Sequence, residues 1–335
     1  MSDAEYDVTG VGNAIVDIIV QVEDSLLVDL DLTKGGMALV DEQRAAALFK
    51  AVSNTGKTST RQAGGSAGNT VAGIESLGGR AAYVGKVAKD DLGNAFTDSL
   101  KRNEIHFATE PLSTGPRTAS CLVLVTPDAQ RTMCTYLGAC VELRAEDIDE
   151  RLIANSAVTY LEGYLFDPPH AKDAFIHAAM TAHEAGRKVS LTLSDSFCVD
   201  RHRDAFLQLV EKHVDVLFAN ESEIISLYQT SSFEEAATQV QGHCELAALT
   251  RSEQGSVLVA QDRRLEIPAD PTQVVDTTGA GDLYAAGLLY GYTHGLPLET
   301  CGRLGSLAAA EVISHVGGRP QQRLRDMAAE RGLLK

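Results

Sequence analysis

The stretch Asp276-Thr277-Thr278-Gly279-Ala280-Gly281-Asp282 combines small residues with carboxylates in an order that can do chemistry. A β-type run, Gln273-Val274-Val275, precedes it, and a helix-type run, Leu283 to Leu289, follows. Gly279, Ala280 and Gly281 therefore fall where a helix begins, among unpaired backbone N–H groups at the positive end of the helix dipole. Small residues let an anion approach that backbone closely. Asp282 comes next, a carboxylate beside an anion site, and the helix end acts to lower its pKa. That pairing suits a reaction in which a hydroxyl loses its proton while attacking a phosphoryl group. The plainer alternative is a glycine turn with Asp282 as an ordinary first-turn acid.

Four other stretches could carry chemistry. Gly10-Val11-Gly12-Asn13-Ala14-Ile15-Val16-Asp17 invites a dinucleotide reading, but GxGxxG needs glycine where Ile15 stands, which argues against a dehydrogenase. On a strand, Asn13 and Asp17 share a face, so Asp17 is either a solvated strand-end acid or a ligand for hydroxyls. Gly64-Gly65-Ser66-Ala67-Gly68-Asn69 is a glycine loop entering a helix, with Asn69 offering both donor and acceptor; the alternative is a turn capped by Ser66. Asn220-Glu221-Ser222-Glu223 follows an apolar strand, where Asn220 could cap the next helix or, with Glu223, hold Mg²⁺ through water. Thr250-Arg251-Ser252-Glu253-Gln254-Gly255 joins two strands and could bring Thr250 and Arg251 to phosphates, or be a β-turn. Arg131 is either a surface arginine or a residue that closes over a transferred phosphate.

These residues need a scaffold of alternating strands and helices. Strands are predicted at 157–161, 188–193, 214–219, 246–250 and 256–260. Helices are predicted at 169–185, 202–212, 221–228, 233–241, 282–294 and 298–315. That rhythm predicts an α/β, doubly wound, mainly parallel sheet with helices on both faces. The earlier part reads differently: extended 8–22 broken at Gly12-Asn13, a short strand at 37–40, and a hairpin of 118–126 and 131–137 around Pro127-Asp128-Ala129. These predict a small β-sheet lid made of excursions at roughly 11–22, 35–41 and 104–137 from a single domain spanning 1–335. Asp91 is a candidate cap for a helix over 92–103.

The chain has 335 residues, of which 44% are hydrophobic, enough for a sizeable core. A formal net charge of −17 opposes nucleic acid and anionic membranes, and makes any phosphate site depend on helix ends, a few basic side chains and Mg²⁺. The six cysteines form no CxxC or zinc spacing and read as reduced, mostly buried small residues. With no signal-type segment at its start and no apolar run of membrane-spanning length, the expected location is cytoplasmic.

In order and spacing, GxGNxxxD, GGSxxN, NExE and DTTGAGD cover nearly the whole chain. Together they resemble the ribokinase-like (PfkB) carbohydrate and nucleoside kinases, and the adenosine kinases most closely. That branch is favoured by GNAIVDIIVQVEDSLLVDLDLTKGGMALVD, by LTLSDSFCVDRHRDAFLQLVEKHVDVLFANESE and by CGRLGSLAAAEVISHVGGRP. The resemblance implies ATP- and Mg²⁺-dependent phosphorylation of the 5′-hydroxyl of adenosine to AMP, a purine-salvage step. The alternative is a sugar kinase of the same fold acting on ribose or a hexose; a non-catalytic nucleoside-binding protein is a further class, opposed by the intact Asp282 and anion hole. By motif position, Asp282 would be the general base, Gly279, Ala280 and Gly281 the anion hole, and Arg131 the lid arginine. Asp17 would hold ribose hydroxyls with Asn13, Gly64, Gly65, Ser66 and Asn69 around it. Met37, Leu39, Leu137, Ala139, Tyr164 and Leu165 would line the purine pocket. Asn220, Thr250, Arg251 and Gly255 would meet the nucleotide, and Asn220 and Glu223 would organise Mg²⁺ and its waters. A monovalent cation near Asp276 and Thr278 occurs in parts of the superfamily. An aromatic at Tyr164 rather than Leu165, and no early glycine in the Thr250 loop, depart from the family pattern. Small molecules are the partners implied; the oligomeric state is not legible in the sequence.

Overall fold

The computed structural model describes residues 3–128, 130–166 and 169–335, so Ala129 of the hairpin turn lies outside the described residues. Among the described residues, nine strands form one sheet, in the order Arg264–Ile267, Ser256–Ala260, Leu246–Thr250, Val216–Asn220, Lys188–Thr192, Ser156–Glu162, Tyr6–Val11, Ala81–Val84 and His106–Phe107. Ser256–Ala260 pairs antiparallel with both of its neighbours, and every other pairing in this sheet is parallel. Side chains alternate between two cores. Along Val216–Asn220, Val216 and Phe218 face one side with helices Ser66–Ser76, Ala280–Thr293 and Leu298–Val312. Leu217 and Ala219 face the other with helices Pro169–Glu184, Ser196–His213 and Glu221–Tyr228. A strand buried on both faces must be apolar at nearly every position, which is why these runs were legible.

A second sheet, among the described residues of five strands, has the order Met37–Leu39, Arg131–Tyr136, Ala119–Val125, Ile15–Gln21 and Ser59–Ala63. Its strands obey the period of two. Ile15, Asp17 and Ile19 face a cavity, while Val16, Ile18 and Val20 are buried behind them. The strand Ser59–Ala63 closes an edge of this sheet and was not anticipated, because its four leading residues are polar. His106–Phe107, inside one expected excursion, pairs with the main sheet instead.

Tyr6–Val11 ends in the main sheet, and Ile15–Gln21 begins in the second. The crossing at Gly12 passes close to its surroundings: a Cβ there would strike the Glu162 carboxylate and lie 2.7 Å from the Ala67 methyl. Two expectations fail. Gln273-Val274-Val275 is not a strand: Val275 N–H bonds at 2.8 Å to the carbonyl of Ile313, just past the helix Leu298–Val312. The helix Asp91–Arg102 is capped by Asp90, not Asp91, the Asp90 carboxylate accepting from Gly93 N–H at 2.8 Å. Gly12→Ala is expected to cost about 1–3 kcal/mol through overpacking. Scanning calorimetry should show a lowered Tm, and a variant that melts with the wild type would show that the crossing has room to spare.

Candidate active site

Two helix N-termini converge on Asp282. The helix Ser66–Ser76 begins after Gly65, which is its N-cap, so the Ser66 hydroxyl is not spent on capping. Ser66 Oγ instead donates to Asp282 Oδ1 at 2.5 Å, and Asn69 Nδ2 donates to Oδ2 at 2.9 Å. Asp282 lies in the first turn of Ala280–Thr293, whose N-cap Gly279 has φ of 79°. A side chain at Gly279 would collide with the backbone of Gly318 as well as strain that φ. The backbone N–H groups of Gly279, Gly281 and Asp282 have no partner among the described residues, and the space beside Gly281 is open. Burial raises the Asp282 pKa above the ordinary carboxylate value, and the bonds from Ser66 and Asn69 only partly offset it. The lowering expected from the helix end is outweighed by desolvation.

Asp17 faces the same cavity from the second sheet, and Gly64 packs directly behind its carboxylate. The carboxylate accepts no hydrogen bond from the described residues. Burial pushes it up to about 6, against the pull of Arg319 and then Arg131, while Asp282 raises it further. Glu162, 1% exposed at the end of its strand, accepts from Asn13 Nδ2 at 2.7 Å and Ala67 N–H at 2.8 Å. Burial pushes Glu162 up to about 7. Sequence reading missed Glu162 and Arg319; a charged residue ending an otherwise buried strand was the available signal for the first.

Arg131, from the second sheet, reaches the anion loop. Its Nη1 lies 2.8 Å from both Asp276 Oδ2 and Thr278 Oγ1, while its buried Nη2 has no partner. Asp276 also accepts from Thr278 N–H at 3.1 Å and Gly317 N–H at 2.8 Å. Asn220 caps its helix in a reciprocal box with Glu223: Asn220 Oδ1 accepts from Glu223 N–H at 2.9 Å, and Asn220 Nδ2 donates to Glu223 Oε1 at 2.6 Å. Burial pushes Glu223 up to about 7. The capping alternative is thus realised, and both residues still line the cavity.

That cavity, of about 1470 Å³, runs between the two sheets and over the first turn of the Asp282 helix. It gathers Asn13, Asp17, Met37, Leu39, Gly65, Ser66, Asn69, Arg131, Leu137, Tyr164, Asn220, Glu223, Thr250, Gly255 and Gly279 through Asp282 from the sequence reading. Four expected residues are not on its lining, one of them Gly64, which packs against the Asp17 carboxylate. Ala139 and Leu165 are fully buried behind the lining, since the short helical turns that carry them point inward. Arg251 is held away by Glu221 at 3.1 Å and by stacking over Phe233. In place of Ala139, the pairing Met37↔Met133 and Leu39↔Thr135 turns Met133 and Thr135 to the cavity. Phe197, 74% exposed, joins them from the helix Ser196–His213.

Residues 29–323 match the model of the pfkB family carbohydrate kinases. The chain belongs to this family. It is therefore a PfkB kinase, a phosphotransferase acting on an alcohol group. Its structure superposes on a probable sugar kinase from Rhizobium etli with TM-score 0.91 and 49% identity, covering 99% of this chain and 100% of that one. It superposes on the adenosine kinase from Sinorhizobium meliloti with TM-score 0.89 and 50% identity, covering 98% and 100%. A probable fructokinase from Arabidopsis thaliana is 28% identical over 282 residues, 82% of this chain and 70% of its own length. Among the described residues, no helix is long and apolar enough to cross a membrane, and all six cysteines are free and buried.

The buried carboxyls make the ligand-free PfkB kinase sensitive to pH. Glu162 and Glu223 have folded values of about 7 against 4.5 for the ordinary side chain, so the folded form holds protons that the unfolded chain releases. That stabilisation is complete below 4.5 and is lost as pH rises through about 7. His213, lowered by burial, acts oppositely below its ordinary 6.5, but alone. Calorimetry should therefore find a higher Tm near about pH 6 than near about pH 8, with the difference reduced in Glu162→Gln. A Tm that rises with pH over this range contradicts the assignment.

Proposed function

We propose that this kinase phosphorylates the 5′-hydroxyl of adenosine with ATP. The observation that carries the reading is the apolar face that the second sheet presents beside Asp17: Met37, Leu39, Val123, Met133 and Leu137, with Tyr164 and Phe197 across the cavity. A purine has a flat face that gains about 2–3 kcal/mol from such walls. A free sugar has none and needs polar partners on every side. The likeness to an adenosine kinase at 50% identity supports the same reading.

The geometry supports a role for each residue. Asp17, an acceptor without a partner, takes hydrogen bonds from ribose hydroxyls, and Asn13, its amide nitrogen engaged by Glu162, offers its oxygen beside it. Asp282 takes the proton of the attacking hydroxyl, held in place by Ser66 and Asn69. Its raised pKa brings the acceptor closer to neutral working pH. The unpaired N–H groups of Gly279 and Gly281 receive the phosphoryl oxygens, and the unpartnered Arg131 Nη2 points a further donor at that charge. Among the described residues, no cluster of three or more His, Cys, Asp or Glu side chains is arranged to hold a metal directly. Asn220 and Glu223 fit Mg²⁺ through water, their side-chain oxygens already accepting from each other's N–H groups. When bound, Mg²⁺ neutralises charge on the nucleotide phosphates. Thr250 and Gly255 line the end of the cavity that would take the nucleotide.

Phosphorylation of a free sugar is the second reading, favoured by the Glu162 carboxylate at the cavity floor and by the likeness to a probable sugar kinase. Paired kinetics on adenosine, inosine, ribose and fructose separate the two. Adenosine is expected to exceed the sugars in kcat/KM by at least about 10²-fold, the worth of the base contact. Thr135→Phe should remove most of that advantage and spare sugar turnover; efficient sugar phosphorylation with no adenosine turnover would decide for the second reading. Under either reading, Asp282→Asn is expected to lower kcat at least about 10²-fold with little change in substrate binding by calorimetry. Retention of most activity would remove Asp282 as the base.

A further inference from the structure

Glu311 is a buried acidic side chain with no part in the roles given so far. It sits in the last turn of the helix Leu298–Val312, and its side chain is fully buried. Oε1 accepts three bonds from the chain that follows: from His315 Nε2 at 3.2 Å, Gln321 N–H at 2.9 Å and Gln322 N–H at 2.9 Å. Oε2 is buried with no partner among the described residues. One oxygen therefore ties both ends of the loop 315–322 back to the helix. An apolar side chain would fill the same space without an unmet acceptor, so packing alone does not call for an acid here.

The inner side of this loop backs the site. Gly317, with φ of 111°, donates its N–H to Asp276 Oδ2 at 2.8 Å. Asp276 in turn holds Thr278 and Arg131. A Cβ on Gly318 would lie 2.7 Å from Asn69 Nδ2, the group that donates to Asp282, and a Cβ on Gly279 would lie 2.8 Å from Gly318 Cα. Just before the loop, the Ile313 carbonyl accepts from Val275 N–H at 2.8 Å and from Asp276 N–H at 3.3 Å. The loop thus touches Asp276, the glycine turn and the residue that holds the base.

We infer that Glu311 is a positioning residue for phosphoryl transfer: by pinning the loop 315–322 it fixes Asp276 and the turn from Gly279 to Gly281. This rests on the reading of that turn as the phosphoryl site and is independent of which alcohol is the acceptor. Donors aimed at developing charge stabilise it only when they are already in place. A backbone turn cannot be steadied by its own side chains when these are glycine and alanine, so the rigidity has to come from the segment packed behind it.

The test compares the wild type with Glu311→Leu, which keeps the bulk and removes the acceptors, and with Glu311→Gln. Amide hydrogen exchange is read by mass spectrometry on fragments covering 275–283 and 313–322. Steady-state kinetics are measured with MgATP and adenosine, or with fructose if that is the better acceptor. Glu311→Leu is expected to speed exchange in both fragments and to lower kcat by about tenfold to about 10²-fold, as small misplacements of catalytic groups do. KM for the acceptor should change little, a split that a merely structural role, lowering Tm alone, would not produce. Glu311→Gln should lie between, because its amide keeps one accepting oxygen but brings donors into a site already full of them. Unmoved exchange over 275–283 in folded Glu311→Leu overturns the inference. Faster exchange there with wild-type kcat also overturns it, by removing the phosphoryl role of the glycine turn on which it rests. If Glu311→Leu does not fold, Glu311→Gln carries the test, and wild-type exchange and kcat in that variant assign Glu311 a packing role alone and overturn the inference.

Discussion

Four desolvated carboxyl groups among those lining one cavity are the constraint on which this structure depends. Asp17, Glu162, Glu223 and Asp282 all line it, all are raised by desolvation, and the chain around them carries a net charge of −17. Left alone, they would repel one another and any phosphate. The fold answers with fixed dipoles rather than with many cations. Glu162 accepts the first-turn N–H of Ala67, Glu223 closes a capping box on Asn220, and Asp282 is held by two side chains from the start of another helix. Helix ends supply positive potential that costs no side-chain entropy and does not titrate.

The same constraint accounts for the glycines and for the chain's path. Carboxylates can be packed this closely only where the neighbouring backbone has no side chain, at Gly12 against Glu162 and Gly64 against Asp17. Between these contacts the chain leaves one sheet and enters the other, so the crossing that builds the cavity also sets its chemistry. Arg131 then ties the second sheet to the anion loop through Asp276 and Thr278. One of its N–H groups remains unpaired, which makes an arriving anion more favourable than the resting contact alone.

Family membership settles the reaction class and leaves the acceptor to the walls. Near-equal likeness to a probable sugar kinase and to an adenosine kinase shows that global similarity does not separate the two. What separates them is whether the surface beside Asp17 is flat and apolar or studded with polar groups, and that surface is written by alternate residues of three short strands.

Local sequence was enough for the sheet-and-helix rhythm and for the reactive positions that sit at element ends. Strands such as Leu246–Thr250, buried on both faces, are apolar throughout, and glycines before Asp282 mark a helix start wherever it packs. Asp17, Asn69, Arg131 and Asp282 were legible because their types are costly to bury without a purpose. Tertiary structure alone decided the rest. Ser59–Ala63 becomes a strand because Ile15–Gln21 offers it an edge, whereas in Gln273-Val274-Val275 the Val275 N–H bonds to the carbonyl of Ile313 instead. Met133 and Thr135, rather than Ala139, face the cavity because register against Met37 and Leu39 sets the face, and a shift of one residue would turn every side chain over. The pKa of Asp282 rises where its helix position argued for a fall, because desolvation comes from groups distant in sequence. Arg319 was silent in the sequence for the same reason: only the folded packing buries it beside Gly68 of the helix Ser66–Ser76.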